Sequence, residues 1–333
     1  MSRRSVSVLV LALAFLVLLL VDASVPLTVF AGILFAVFLR GSGNWIAERT
    51  GLSQAWGLAL FALGLVAVVA LFLFFAAAAL ADQFSQLLDR LPDAWNAART
   101  YVEENAWLRE AMDSIDFQSL LPSGTRAMST VSSTFGALGG LVVILFIGLY
   151  GAIDPQTYLR GTTLLFAPSL RPKVRAVLNE TGTALSGWLQ AQFISMTVVS
   201  ILTFLGLWAL GMPLGLVLAV LAALLTFIPN IGPILAAIPA LLIAVSEGPS
   251  MVLWVAGLYV AVQTVESYLV TPQVQKEAVA LPPALTISVQ FLFGLLFGAL
   301  GLAMATPFAA VMLRVGRLFY VEDYLDQEAK PVA

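Results

Sequence analysis

Between Pro213 and Val245 the chain is almost wholly apolar, yet near its middle it reads Phe227-Ile228-Pro229-Asn230-Ile231-Gly232-Pro233. No regular helix continues through that stretch. Each proline lacks an N–H and clashes with the preceding turn, and glycine adopts angles that other residues resist. In lipid such an interruption survives only where protein or a water-filled cavity satisfies the freed backbone groups. The two apolar arms, Pro213–Ile228 and Ile234–Val245, are each shorter than the roughly 20 residues a spanning helix needs. The pattern predicts a helical hairpin that dips into a membrane and turns at Asn230, with Pro229, Gly232 and Pro233 making the break.

The rest of the composition demands a membrane as well. Of 333 residues, 60% are apolar and 11% charged, and the mean hydropathy is +0.98. Several windows exceed about 18 apolar residues with almost no charge. The fold class expected is all-α: a polytopic membrane protein whose partner is the lipid bilayer. The absence of Cys excludes disulfides and thiolate metal sites. The absence of His removes the commonest metal ligand and general base. There is no Ser-centred nucleophile elbow, no acidic pair at metal-ligand spacing within the spans and no Gly-x-x-x-x-Gly-Lys loop. The chain is therefore expected not to be an enzyme, to carry no cofactor or metal, and to bind no nucleic acid.

Six full spans are predicted: Ser5–Val21, Val25–Leu39, Ala55–Ala81, Phe135–Ala152, Gln192–Leu210 and Met251–Val270. Two broken runs join them, Pro213–Val245 and Pro283–Val311, the second interrupted at Gly294, Gly298 and Gly301. Ser5–Val21 follows Arg3 and Arg4 and resembles a signal peptide, but it is longer than the usual 7–15 apolar residues and is read as an uncleaved span. Arg40 to Gln54 reads as a short polar link. Asp82 to Ser133 holds eight acids against four arginines. Its apolar residues Phe84, Leu87, Leu88, Leu91, Trp95, Ala98 and Tyr101 fall at helical spacing. It is expected to be an extramembrane amphipathic arm, either gating or assembling subunits, or packed on its own domain or lying at the membrane surface. The expected domains are spans at 1–81, the arm at 82–133, the fourth span and a basic segment at 134–190, a transport core at 191–316 and a tail at 317–333.

With the N-terminus in the cytoplasm, cytoplasmic segments hold 12 of the 16 Lys and Arg residues and the outer arm holds the other 4, as the positive-inside rule requires. Both termini are then cytoplasmic. Spans Gln192–Leu210 and Met251–Val270 run in opposite directions, each followed by a broken run. Pro213 precedes Gly232 by 19 residues and Pro283 precedes Gly301 by 18. The pattern predicts an inverted repeat, and Gly/Pro-broken segments at matching places in inverted halves point to a transporter's solute site.

The residues expected to carry transport follow from that layout. Glu266 is the only charge in Met251–Val270, where an acid costs about 2.5–3.5 kcal/mol at mid-helix. A partner, water or protonation must offset that cost. Gln263, three residues earlier, shares its face, and the two could hold a cation, a proton or a polyol. Asn230 and Thr226 sit at the first break, where backbone groups could coordinate solute. Gln290 and Thr286 lie in the first arm of the second run and Thr306 in its second, while Gln192 opens the fifth span. Taken singly, each of these polar residues reads as a helix–helix hydrogen bond rather than a ligand; as a set converging on two breaks they read as a solute site. Glu266 could also reach the interface and pair with Lys276.

One set of motifs carries a family resemblance. These are Gly187-Trp188-Leu189-x-x-Gln192, the Phe227–Pro233 break, Gln263-x-x-Glu266, Pro272, Leu281-x-Pro283, and Gly298-x-x-Gly301 with Thr306-Pro307. Over about Gly187 to Val311, roughly two-fifths of the chain, the sequence resembles the AI-2E family of transporters. Ala191 stands where the family often has Gly, and the charged Gln275-Lys276-Glu277 replaces a more Gly-like link; both bear on the solute more than on the fold. The resemblance implies a multi-span inner-membrane transporter assembled as a homo-oligomer, expected to be a pentamer. It also implies either export of a small polar solute of the autoinducer-2 kind or sodium/proton antiport. A passive channel-like oligomer is the other expectation.

Overall fold

The computed structural model describes residues 24–103, 127–270 and 282–316, with Val10 and Leu13 in isolation; the side chains of 101–138 are not described. The predicted first span, most of the second half of the arm, the link holding Lys276 and Glu277, and the tail lie outside the described residues. Every described element is helical. In chain order they are α1 (Ser24–Thr50), α2 (Gln54–Glu103), α3 (Ala127–Ile153), α4 (Pro155–Leu164), α5 (Arg171–Ala209), α6 (Gly215–Thr226), α7 (Ile231–Glu247), α8 (Pro249–Val265, continued by a π-helical turn, Glu266–Val270) and α9 (Pro283–Gly316).

By length and composition α1, α2, α5 and α8 with its π turn could each cross a membrane, and α9 has the length and composition in total but is broken at Gly298. α3 and α4 meet at a 96° bend and would make a sixth crossing if counted as one. α6 and α7 are apolar but short, at 12 and 17 residues.

Three predicted boundaries are not helix ends. The polar link from Arg40 is helix as far as Thr50. Its glycines serve close packing: a methyl group added at Gly41 would overlap Ser186 of α5, and one at Gly43 would overlap the Leu58 backbone of α2. The turn comes only at Gly51, whose φ of 73° is left-handed, the usual helix stop. The arm does not begin afresh at Asp82. No Gly or Pro interrupts the chain between Gly64 and Pro92, and alanine fills 76–79, so α2 runs unbroken for 50 residues. At 1.5 Å per residue that is about 75 Å, against a hydrocarbon core of roughly 30 Å. Likewise the basic segment ending at Leu189 and the span starting at Gln192 are one helix, α5, because no proline lies between Pro172 and Pro213.

The described residues form two compact units. The first takes the described parts of 1–66, 140–191 and 275–333. In it α1 and α3 meet through small residues: Gly32 against Ile147, Gly148 against Phe35, and Gly151 against Ala36, the close approach that membrane helices favour. Arg40 donates to the Ala152 carbonyl at 3.4 Å and to the Gln54 side chain, which satisfies one of the carbonyls left free at the end of α3.

The first unit also contains α9, and α9 is not one long helix. Gly298 has φ 64° and ψ −150°. Gln290 Nε2 donates to Thr306 Oγ1 at 3.1 Å, although 16 residues of straight helix would separate them by about 24 Å. The arms 283–297 and 299–316 therefore fold back on each other as a hairpin. Phe293 packs against both Phe297 and Phe308, with ring centroids 5.3 and 5.1 Å apart.

The second unit takes 67–139 and 192–274. Its core gathers Leu207, Leu218, Ile243 and Val255, all at or below 1% exposure, around the hairpin of α6 and α7. From the arm, Leu87 and Ala94 are buried in the same cluster, with Leu91, Trp95 and Ala98 packed beside them. Phe84 and Leu88 face outward. The described part of the arm is thus docked on the first hairpin. A hydrogen bond reinforces the docking: Gln83 Oε1 accepts from the Val217 N–H at 3.1 Å. That N–H lies in the first turn of α6, whose N-cap residue, Leu214, supplies no side-chain cap. Gln83→Leu is expected to cost about 1 kcal/mol. Amide exchange should speed up in the first turn of α6 and stay unchanged in α9.

Candidate solute and ion site

At Glu266 the α-helical ladder of α8 gives way to the π turn Glu266–Val270. Such widenings are rare and recur at functional sites. Both carboxylate oxygens of Glu266 are held by donors. Ser195 Oγ on α5 donates to Oε1 at 2.8 Å. Gln263 Nε2 donates to Oε2 at 3.0 Å, and Ser267 Oγ donates to the same oxygen at 3.3 Å. Ser195 is only 3% exposed, so the carboxylate is drawn against the protein interior. Hydrogen bonds to an ionised carboxylate are roughly twice as strong as neutral ones, and they offset part of the cost of removing it from water.

One turn before Ser195 on α5, the buried Gln192 donates through Nε2 to the Thr226 carbonyl at 2.5 Å. That carbonyl ends α6, so Gln192 closes the helix where the hairpin turns. Thr226 takes part through its backbone. Its hydroxyl donates to Ala222 O at 2.6 Å within its own helix. Asn230 occupies the corner with φ 65° and ψ −50° and is exposed, and its side chain does not cap α7. In the first unit Gln290 is fully buried and joined to Thr306, while Thr286 donates to Pro282 O, the residue just before its own helix.

The structure therefore joins Gln263 to Glu266, Thr226 to Gln192, and Gln290 to Thr306. It does not draw Asn230 into any of these pairs. The residue missed from the sequence is Ser195. A lone serine in an apolar run, 71 positions from its partner, carries no local signal. Its one mark is its place a single turn after Gln192 on the same face.

Arranged this way, α5 and the π turn present a carboxylate surrounded by hydroxyl and amide groups in otherwise apolar helices. Such a set can exchange a proton, or contribute oxygen atoms to a small cation.

Comparison with known proteins agrees with this architecture. Residues 8–318 match the family described as AI-2E family transporter. A Mycobacterium tuberculosis protein provisionally named a transport protein is 28% identical over 279 residues, 80% of this chain and 75% of that protein. YhhT of Escherichia coli K12, also provisionally named a transport protein, is 23% identical over 322 residues, 91% and 88% of the two chains. YueF of Bacillus subtilis, named likewise, is 25% identical over 213 residues, 61% of this chain and 58% of its own. With the family match running along nearly its whole length, over helices that build a multi-pass membrane protein, this chain belongs to the AI-2E family of transporters.

Proposed function

We propose that the protein is a secondary transporter of the inner membrane that exports a small polar solute of the autoinducer-2 kind by alternating access. The observation that carries this reading is the Glu266 carboxylate, held by Ser195, Gln263 and Ser267 at a π turn in an otherwise apolar helix. A titratable group so placed can link solute movement to an ion gradient. The two hairpins supply broken backbone at apolar depth, the device by which transporters expose carbonyl and N–H groups to solutes. The same oxygen-rich cluster favours a second reading, sodium/proton antiport with no organic solute.

The deciding experiment is purified protein in liposomes, with autoinducer-2 flux and sodium/proton exchange measured side by side. Saturable autoinducer-2 flux that responds to a proton gradient supports export. Exchange without such flux supports antiport, and large single-channel steps reject both. Cytoplasmic termini and assembly as a homo-oligomer, with five subunits, belong to the same proposal. Because the natural chain has no cysteine, single cysteines at either end report sidedness directly, and native mass spectrometry reports subunit number.

A further inference from the structure

α3 is 27 residues long and reaches about 40 Å, enough to cross a core of roughly 30 Å without α4. At Asp154 the chain turns through 96° into α4. Side chains and backbone both hold the corner. The Asp154 N–H closes α3 on the Tyr150 carbonyl at 3.1 Å. Its carboxylate accepts from the Thr157 N–H and hydroxyl, and Pro155 opens α4 where a missing N–H costs nothing. A helix that leaves a spanning helix at a right angle runs along the membrane surface.

Neighbouring helices in the first unit mark the depth of that surface. Arg40 donates to the Ala152 carbonyl at the end of α3 and to Gln54 at the start of α2, so those two ends stand at one level. Trp56, in the first turn of α2, is 68% exposed, and Tyr158, in the first turn of α4, is 54% exposed. Tryptophan and tyrosine gather at headgroup depth. α4 rests on the protein through the half-buried Leu159 and the buried Thr163. Tyr158 and Leu165, seven positions apart, share a different face, and both are exposed, as Leu164 is. Gln156 and Arg160, four apart, lie along one flank. Arg175, from the start of α5, donates to the Gln156 side chain at 3.1 Å. Two exposed arginines therefore flank Gln156. From Asp154 to Arg175 four basic residues stand against one acid, and that acid is engaged in capping α4.

We propose that α4 and the start of α5 form a docking surface for anionic phospholipid. Tyr158, Leu164 and Leu165 sit in the boundary between headgroups and acyl chains, and Arg160 and Arg175 hold the headgroup phosphate. The inference makes no use of the transporter reading. Two like charges drawn to one side chain favour an anion beside them. An anionic bilayer offers that charge together with an apolar layer, the two chemistries this surface presents. A zwitterionic headgroup adds a positive charge that the arginines repel. A free phosphate leaves the apolar face in water. A second copy meeting this face with its own sets positive charge against positive.

The natural chain has no cysteine, so Tyr158→Cys and Leu165→Cys each accept a single nitroxide label on an exposed position. In vesicles of phosphatidylcholine with a third replaced by phosphatidylglycerol, both labels should be open to oxygen and shielded from a water-soluble nickel chelate. Labels as open to the chelate as a probe in water overturn the proposal. So do labels that are immobilised and shielded from both agents, because protein then covers the face. Native mass spectrometry of the full chain reads the charge. Phosphatidylglycerol should be retained in preference to phosphatidylcholine. Arg160→Gln and Arg175→Gln should each weaken that preference about fivefold, and lysine at either position should keep most of it. Equal retention of the two lipids, or glutamine variants that behave as the parent does, overturns the anionic assignment. Inorganic phosphate should leave the lipid in place, because it brings nothing to the apolar face; displacement by it overturns the lipid as occupant.

Discussion

Glu266→Gln is expected to lower gradient-driven flux by about a hundredfold or more, equivalent to some 2.7 kcal/mol, in a protein that still inserts and assembles. The substitution keeps the size and shape of the side chain. Its carbonyl oxygen can accept from Ser195 as Oε1 does now. Its NH₂ would face the Gln263 amide, which can turn to offer oxygen instead of N–H. The structural cost should therefore be small, about 1 kcal/mol. What is lost is the ability to take up and release a proton or to balance a cation. Ser195→Ala provides the contrast, since it leaves the charge and removes one donor. It should reduce flux far less. The measurement is initial-rate flux in liposomes across a range of imposed gradients. Unchanged flux and unchanged pH dependence in Glu266→Gln would mean that the carboxylate is a packing feature.

The second large effect is expected at the hairpin corners. A Cβ added at Gly232 would overlap the carbonyl of Leu225, and one at Gly301 would overlap the carbonyl of Phe293. In both hairpins the partner is backbone of the opposite arm, which cannot swing aside as a side chain can. Each glycine follows a residue of positive φ, Asn230 in one case and Gly298 in the other. The two turns thus share one device: a left-handed residue reverses the chain, and a glycine lets the arms touch. Gly232→Leu and Gly301→Leu should each cost about 3 kcal/mol, the upper part of the usual overpacking range, seen as a lowered melting temperature in detergent. Gly257→Ala is the control. Gly257 lies within α8 with open space around it, so alanine there should stabilise by roughly 0.5–1 kcal/mol. Equal behaviour of all three variants would show that the corners are not close-packed.

The hairpins were legible because their signal is local and covalent. Proline at 229 and 233 and glycine at 232, 298 and 301 restrict the backbone whatever surrounds them. Glu266 was legible because a single charge in an apolar run stands out, and Gln263 because a spacing of three residues places it on the same face. The helices run on past the predicted span boundaries at Arg40 and Asp82. Arg40 and Asp82 are polar, but polarity marks where a helix meets water and does not stop it. Within the stretch after Arg40, Gly41 and Gly43 make room for α5 and α2. What escaped altogether depends on which helices become neighbours. Ser195 acquires meaning only from the end of α8 beside it, and no window along the chain contains that information.

The brevity of α6 constrains how the protein is made. Twelve residues of helix reach about 18 Å, which leaves at least one of its ends short of the water in a bilayer core roughly 30 Å thick. α6 cannot wait alone in lipid for its partners during biosynthesis. Its end groups need protein beside them, and α7 and α8, which pack into the same core, supply it.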